Sequence, residues 1–269
     1  MTLNDAIKAL REAGIESAEH DARLLFSHFG SFAPHELVLK TAVISDELIE
    51  KPLKERMSRR PLQYIVGEVG FYKESFSVSE DCLIPRQDTE ILVDYAVKNI
   101  PEGENFLDIC TGSGCIAIST VKNTKNTRAM AIDLSEKALE CARRNAVKNG
   151  VLGKIDFLLA DALEYEPKER YFAVLSNPPY VTEEEYRELE KELYYEPKMA
   201  LVARDGGLEF YKKLVPAMKD SIKDSGFIAF EIGSSQSNAL LKIAEENSMT
   251  AEIINDLSGL ARVAVLKKI

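Results

Sequence analysis

The residues best suited to chemistry form one short segment, Asn177-Pro178-Pro179-Tyr180, which follows an apolar run. Proline restricts the backbone to extended geometry and has no N–H group. The segment therefore presents acceptors, chiefly the side-chain oxygen of Asn177 and the carbonyl of Pro178. A planar nitrogen with two N–H donors, such as an amide or an amino group on a ring, fits between them. Because Asn-Pro often marks turns, the alternative is a rigid connection without a ligand.

Such an arrangement suits transfer of a group to nitrogen. The lone pair of an amide nitrogen is delocalised by the resonance that gives a peptide bond its rotational barrier of ~18–20 kcal/mol. Two fixed acceptors favour the positive charge that develops on nitrogen during transfer and orient its reacting orbital. The proton can leave to water afterwards, so no strong base is required. We interpret Asn177, Pro178 and Tyr180 as catalytic, and all four residues as contacts to the acceptor, with the Tyr180 ring stacked on its plane.

A second candidate site is a glycine-containing loop, Cys110-Thr111-Gly112-Ser113-Gly114, between a predicted strand and a predicted helix. Glycine allows sharp turns and close approach to a ligand, and a helix start presents free N–H groups. Asp133, followed by Leu134, ends the next predicted strand about 20 residues later, where a carboxylate can bind ribose hydroxyls. These residues fit either a dinucleotide or S-adenosylmethionine. The full G-x-G-x-x-G pattern is absent, which keeps a plain turn as an alternative.

Three further residues complete the predicted nucleoside pocket. Asp108 would orient the methionine ammonium group of the cofactor, although aspartates are common at strand ends. Asp161 would accept from the adenine amino group while Ala162 packs on the ring, and the alternative for Asp161 is a helix N-cap. Asn177 is expected to contact the cofactor as well as the acceptor.

Strand and helix patterns alternate after residue 86, which predicts a doubly wound α/β sheet. The predicted strands are Asn105–Ile109, Ala129–Asp133, Ile155–Ala160, Phe172–Ser176, Gly226–Ile232, Ala251–Asn255 and Val263–Leu266. The predicted helices are Cys115–Lys122, Glu136–Lys148, Leu208–Lys223 and Ser237–Asn247. The last two strands are too close in sequence for a helical crossover, so they should pair antiparallel. This is a Rossmann-like, seven-stranded methyltransferase sheet whose last strand is antiparallel.

The first part of the chain is predicted to be a small helical domain. Helical spacing of apolar residues and a capping-box pattern at Thr2 and Asp5 support this, and a short helix is expected to begin near Pro52. Residues 67–85 read as a β-hairpin linker. We expect a helical domain over 1–66, for which its own residues favour a structural role, the linker over 67–85 and a methyltransferase domain over 86–269.

Composition excludes several classes of protein. The 269 residues are 45% hydrophobic and 29% charged, with a formal net charge of −10, which opposes extended nucleic-acid binding. No apolar run approaches the ~20 residues needed to cross a bilayer, and the start lacks a secretion signal, so we expect a cytoplasmic protein without membrane contact. Four cysteines without a C-x-x-C pair and three histidines supply too few ligands for a structural zinc site, so we expect no metal.

The chain resembles bacterial release-factor glutamine methyltransferases along nearly its whole length. Three of the matching motifs are Leu83-Ile84-Pro85-Arg86-Gln87-Asp88-Thr89-Glu90, Thr111-Gly112-Ser113-Gly114-Cys115 and Ser176-Asn177-Pro178-Pro179-Tyr180. Others are Arg60-Pro61-Leu62-Gln63-Tyr64-Ile65, Glu196-Pro197, Gly206-Gly207-Leu208 and Phe230-Glu231-Ile232-Gly233. No single motif is decisive, but their order together with a helical N-terminal domain is specific.

The resemblance implies S-adenosylmethionine as methyl donor and S-adenosylhomocysteine as product. It implies that the acceptor is the glutamine amide in the Gly-Gly-Gln loop of peptide-chain release factors, and that the N-terminal domain and hairpin help to seat that substrate. We expect a monomer. Cys110 stands where the family usually has glycine, and Gln87 where it usually has proline. The segment from Arg86 to Glu90 could close over the cofactor or simply cap the following helix.

Two other enzyme classes share some of these features. A nucleic-acid methyltransferase acting on an exocyclic amino group could use the same acceptor loop, but such enzymes extrude the base and usually carry basic recognition surface. A nicotinamide-dependent oxidoreductase would share the glycine loop and Asp133 but would leave the Asn-Pro-Pro-Tyr segment without a role. A non-catalytic cofactor-binding protein would not need an intact acceptor loop.

Substitutions in the acceptor segment and in the cofactor pocket should affect different kinetic and binding constants. Asn177→Ala is expected to lower turnover about a hundredfold or more, as for loss of one preorganised polar group, with little change in cofactor affinity. Asp133→Ala should mainly weaken cofactor binding. Steady-state kinetics and calorimetric titration with the cofactor would measure both effects, and the reverse pattern would show that the roles are wrongly assigned.

Overall fold

A computed structural model describes residues 1–38 and 41–269. The chain forms two compact units. The first contains Met1–Glu68 together with Glu190–Tyr195, and the second contains Val69–Leu189 and Glu196–Ile269. The domain limits assigned from the sequence, and the recognition role of the first domain, stay predictions.

The first unit is helical. Its helices are α1 (Leu3–Glu12), α2 (Ala18–Gly30), α3 (Asp46–Met57) and α4 (Leu62–Val66). The capping box is present, since the Asp5 amide donates to the Thr2 hydroxyl at 3.1 Å and the Thr2 amide donates to the Asp5 carboxylate at 3.2 Å. The helix start predicted near Pro52 is wrong, because α3 begins at Asp46 and Pro52 lies inside it.

A β-hairpin follows, formed by β1 (Glu68–Phe71) and β2 (Glu74–Ser77). Phe71 and Phe76 are both buried, and their rings meet edge to face with centroids 5.8 Å apart. The alternation of apolar and polar residues in β2 produces this burial, since successive side chains of a strand point to opposite faces.

The second unit is built on a seven-stranded sheet with the order β5-β4-β3-β6-β7-β9-β8. Its strands are β3 (Asn105–Ile109), β4 (Arg128–Asp133), β5 (Ile155–Leu159), β6 (Tyr171–Ser176), β7 (Ile222–Glu231), β8 (Met249–Asn255) and β9 (Ala261–Lys268). Its helices are α5 (Thr89–Asn99), α6 (Cys115–Asn123), α7 (Glu136–Lys148), α8 (Glu183–Tyr186), α9 (Arg204–Gly207), α10 (Glu209–Met218) and α11 (Ser237–Glu246). The final strand β9 pairs antiparallel with both β7 and β8. The predicted fold class is confirmed.

Two neighbouring predicted boundaries are wrong by several residues. The helix expected to extend to Lys223 ends as α10 at Met218, and β7 begins at Ile222 rather than at Gly226. Ile222 is fully buried and pairs with Tyr171 of β6. Pairing with a strand distant in the sequence decides these boundaries, and local apolar spacing does not contain that information.

The sheet order brings the two predicted sites to the same edge. β3 pairs in parallel with β4 on one side and with β6 on the other, and Ile109 is in register with both Ile132 and Ser176. The Ser176 hydroxyl donates to the Ile109 carbonyl oxygen at 2.6 Å. The strand order therefore reverses at β3, with β4 on one side and β6 on the other. Ligands of open α/β sheets bind at such a switch point, outside the carboxyl ends of the strands.

In the part of the chain that the structure describes, no helix combines the length and the apolar character that crossing a membrane requires.

Candidate functional site

The glycine loop joins β3 to α6 through left-handed backbone. The φ angles are +58° at Cys110, +55° at Gly112 and +81° at Gly114. The Thr111 amide donates to the Ile132 carbonyl at 3.0 Å, which ties the loop to the end of β4. A Cβ atom added at Gly112 would meet no heavy atom within 4 Å. Glycine is therefore favoured there by the left-handed backbone and not by crowding.

Asp133 ends β4 directly beside this loop. One carboxylate oxygen accepts from the Gly112 amide at 2.9 Å, and the other accepts from the Ser135 amide at 2.9 Å. Burial raises the pKa of Asp133, against the effect of these amide donors. Each oxygen retains further lone pairs, so the carboxylate is held in place and can still accept from a ligand.

Asp161 follows β5 in a turn and not at the start of a helix. Its carboxylate accepts from the Leu163 amide at 2.9 Å. The helix N-cap considered for Asp161 is therefore wrong, and the side chain shapes a turn whose next residue, Ala162, is buried.

Asp108 is fully buried beneath the glycine loop. One of its oxygens accepts from the Thr111 hydroxyl at 2.6 Å and from the Ala117 amide at 3.2 Å. The other oxygen, Oδ1, has no hydrogen-bond partner among the described residues. Burial raises the pKa of Asp108 to about 7, although both donors oppose the shift. An unpartnered buried oxygen is costly, and a cationic donor at the loop would satisfy it.

The Asn-Pro-Pro-Tyr segment leaves β6 next to the glycine loop. Pro178 and Pro179 are buried, while Asn177 and Tyr180 are half-buried. The Asn177 Nδ2 donates to the Thr89 hydroxyl oxygen at 3.2 Å, and the Tyr180 hydroxyl donates to Glu231 at 3.2 Å. Among the described residues, none donates to Asn177 Oδ1 or to the Pro178 carbonyl. Both predicted acceptor atoms are thus available.

The two loops face one cavity of about 460 Å³. The predicted site residues that line it are Cys110, Gly112, Asp133, Leu134, Asp161, Ala162, Asn177 and Pro179. The other predicted residues, Asp108, Thr111, Ser113, Gly114, Pro178 and Tyr180, do not line it and lie behind or beside those that do. The contribution of each residue to binding stays a prediction.

Two family models match the chain, a PrmC N-terminal domain over residues 2–67 and a Methyltransferase small domain over residues 86–210. A release factor glutamine methyltransferase from Fusobacterium nucleatum is 34% identical over 98% of this chain and 77% of its own length. One from Thermodesulfovibrio yellowstonii is 38% identical over 82% of this chain and 81% of its own.

The chain belongs to the release factor glutamine methyltransferase family.

A solved structure supports the fold independently. The ribosomal protein L11 methylase from Lactobacillus delbrueckii subsp. bulgaricus superposes with a TM-score of 0.52 at 17% identity, covering 71% of this chain and 83% of its own. Family and fold together identify this protein as an S-adenosylmethionine-dependent methyltransferase.

The residues of the cavity fit this cofactor. A volume of about 460 Å³ lies within the range of ~300–1,000 Å³ typical of small-molecule sites. Carboxylates at the ends of β4 and β5 suit hydroxyl and amino donors, and the unpartnered Asp108 oxygen suits an ammonium group. When bound, the cofactor supplies a methyl group on a positively charged sulfur. Among the described residues no cluster of His, Cys, Asp and Glu could hold a metal ion.

Several residues that shape the site received no specific role from the sequence. Glu231 and Thr89 contact the Asn-Pro-Pro-Tyr segment, and the side-chain Nε2 of Gln236 donates to the Tyr180 carbonyl at 3.2 Å. Glu231 and Thr89 lie in motifs that matched the family, so the sequence marked these residues but did not show which groups they contact. Their meaning depends on contacts between segments that are distant in the chain.

The segment from Arg86 to Glu90 has separate contacts. Arg86 pairs with the buried Glu196, whose carboxylate also accepts from the Ile84 amide at 2.9 Å. Asp88 precedes α5 but makes no side-chain cap bond, and it lies 3.2 Å from Arg262. Glu90 accepts from the Tyr72 amide at 2.9 Å. No side chain of the segment therefore caps α5 at Asp88, and closure of the segment over the cofactor stays a prediction.

Gly207 offers a test of how tightly the acceptor loop is held. A Cβ atom at Gly207 would lie 2.2 Å from the Tyr180 carbonyl oxygen, whereas one at Gly206 would meet nothing within 4 Å. Both glycines have positive φ, +80° and +64°, so the backbone strain of alanine, about 1–2 kcal/mol, is common to both. Only Gly207→Ala must displace the Asn-Pro-Pro-Tyr segment. We expect the kcat of Gly207→Ala to be lower than that of Gly206→Ala by up to about a hundredfold.

The measurement compares kcat and the free energy of unfolding of both variants. Equal kcat in the two variants would show that the Tyr180 backbone is free to move without loss of function.

Proposed function

We propose that this protein transfers the methyl group of S-adenosylmethionine to the side-chain amide nitrogen of the glutamine in the Gly-Gly-Gln loop of peptide-chain release factors. The observation that carries the proposal is the pair of available acceptors, the Oδ1 of Asn177, which lines a cofactor-sized cavity, and the carbonyl of the adjacent Pro178. The names of its relatives support the same substrate.

The residues act by holding and orienting the acceptor. Two oxygens accept from the two N–H groups of the amide, which directs the remaining nitrogen orbital toward the cavity. The same oxygens stabilise the positive charge that develops on nitrogen, because preorganised dipoles need no rearrangement during the reaction. The two prolines keep these oxygens in place by restricting the backbone. The proton leaves to water after transfer.

An exocyclic amino group of a nucleic acid also carries two N–H donors in a plane and is the main competing acceptor. The formal net charge of −10 opposes it, because nucleic-acid binding depends on neutralising phosphates with Lys and Arg. The family relatives are also named for release factors. We therefore assign the protein substrate.

Mass spectrometry tests the proposal directly. A release factor incubated with the enzyme and S-adenosylmethionine is expected to gain one methyl group on its loop glutamine. A release factor in which that glutamine is replaced by glutamate should gain none, and Asn177→Ala enzyme should be slower by about a hundredfold. Methylated nucleic acid together with an unmodified release factor, in parallel reactions, would overturn the assignment.

A further inference from the structure

A buried chain of polar groups lies directly behind Asn177. Thr89 at the start of α5 donates its hydroxyl to Glu231 at the end of β7, and the Tyr180 hydroxyl donates to the other Glu231 oxygen. Asn177 Nδ2 donates to Thr89 Oγ1 at 3.2 Å. Thr89 is 2% exposed and Glu231 3%, so bulk water has little access and these groups must satisfy one another.

We propose that Thr89 and Glu231 are positioning residues that set the orientation of the Asn177 side-chain amide, so that its oxygen faces the acceptor nitrogen. The choice of a glutamine amide as acceptor rests on the function proposed above. The orientation itself follows from the donors and acceptors inside this protein.

The orientation follows from proton counting. An ionised Glu231 can only accept, so the hydroxyls of Thr89 and Tyr180 must both donate to it. Thr89 has a single hydroxyl proton, and once that proton is used Thr89 offers only lone pairs. The Asn177 atom that faces Thr89 must then be the NH2 group. The carbonyl oxygen of the same amide consequently points away from Thr89 and is left for a ligand.

Reversal of the amide would be harmful. The two ends of an asparagine amide have nearly the same shape, so packing alone does not distinguish them. With the amide reversed, the Asn177 NH2 group would face the N–H groups of the acceptor, donor against donor. It would also place a partial positive charge where positive charge develops during methyl transfer. The negative charge on Glu231 prevents this reversal through Thr89.

The surroundings of Glu231 determine when it is charged. The pKa of Glu231 is raised to about 7, chiefly by burial and also by the nearby carboxylate of Asp88, against the lowering effect of the donors Thr89 and Tyr180 and of the guanidinium of Arg262. Other groups that face Glu231 are the hydroxyl of Tyr211, which donates to its backbone carbonyl at 2.9 Å, and the neutral thiol of Cys115. A protonated Glu231 could donate to Thr89 and permit reversal.

Thr89→Val is the first test, because valine keeps the shape of threonine and removes the hydroxyl. We expect kcat for release-factor methylation to fall at least about tenfold, as for one misplaced polar group, with cofactor affinity unchanged. Thr89→Ser should restore kcat to within about threefold, since it returns the hydroxyl. Thr120→Val is the matched control, because Thr120 is fully buried in α6 and its hydroxyl has no hydrogen-bond partner among the described residues.

The outcomes separate positioning from a structural role. A Thr89→Val enzyme as fast as Thr120→Val would overturn the inference. So would a Thr89→Ser enzyme as slow as Thr89→Val, or a loss of kcat accompanied by an equal loss of cofactor affinity and of unfolding free energy.

Glu231→Gln provides a second and independent readout. The wild-type kcat should fall as the pH is lowered through about 7, because protonated Glu231 gains a donor. In Glu231→Gln, kcat should be low throughout and should lack this fall, since glutamine does not titrate. A variant that keeps the wild-type dependence on pH would show that another group is responsible and would contradict the inference.

A measurement without any acceptor distinguishes failure of this inference from failure of the proposed function. In protein with isotope-labelled asparagine, the side-chain NH2 signals of Asn177, identified by their loss in Asn177→Asp, should shift with pH near 7 and shift in Thr89→Val. Asn177 signals that change neither with pH nor in Thr89→Val would refute the orienting role of Thr89 and Glu231, even if the enzyme is active. Signals that respond, in an enzyme that leaves release factors unmodified, would refute only the choice of substrate.

Discussion

Parallel pairing of β3 with both β4 and β6 is the constraint on which the site depends. Because Ile109 is in register with Ile132 and with Ser176, the segments that follow these strands emerge at one edge of the sheet. The glycine loop, Asp133 and the Asn-Pro-Pro-Tyr segment meet there although they are distant in the chain. Hydrogen bonds from Thr111 to β4 and from Ser176 to β3 then hold the loops relative to the strands.

Three carboxylates lie near this edge, of which Asp108 and Glu231 are buried and Asp133 is half-buried. Asp133 keeps both oxygens occupied by backbone amides and lines the cavity. Asp108 lies beneath the loop with one oxygen unpartnered among the described residues. Glu231 lies behind the acceptor loop and accepts from two hydroxyls. Burial raises the pKa of all three, which is the usual mark of groups placed by function as well as by folding.

Membership of the family narrows the chemistry that the fold alone leaves open. The likeness to the L11 methylase establishes the sheet and its connections, but one fold serves many acceptors. In the proposed function, two polar atoms select the acceptor, Asn177 Oδ1 and the Pro178 carbonyl. Their polarity suits a neutral NH2 group.

The fold class, the α/β alternation and the two loops that face the cavity could be predicted from the sequence alone, because strand and helix periodicity and the Gly and Pro positions are local signals. It misplaced the end of α10 and the start of β7, and it left Thr89, Glu231 and Gln236 without specific roles. Those points depend on contacts that form only when the chain folds. The orientation of the Asn177 amide depends on which protons Thr89 and Tyr180 give to a carboxylate on another strand, and such long-range hydrogen bonding leaves no local pattern in the sequence.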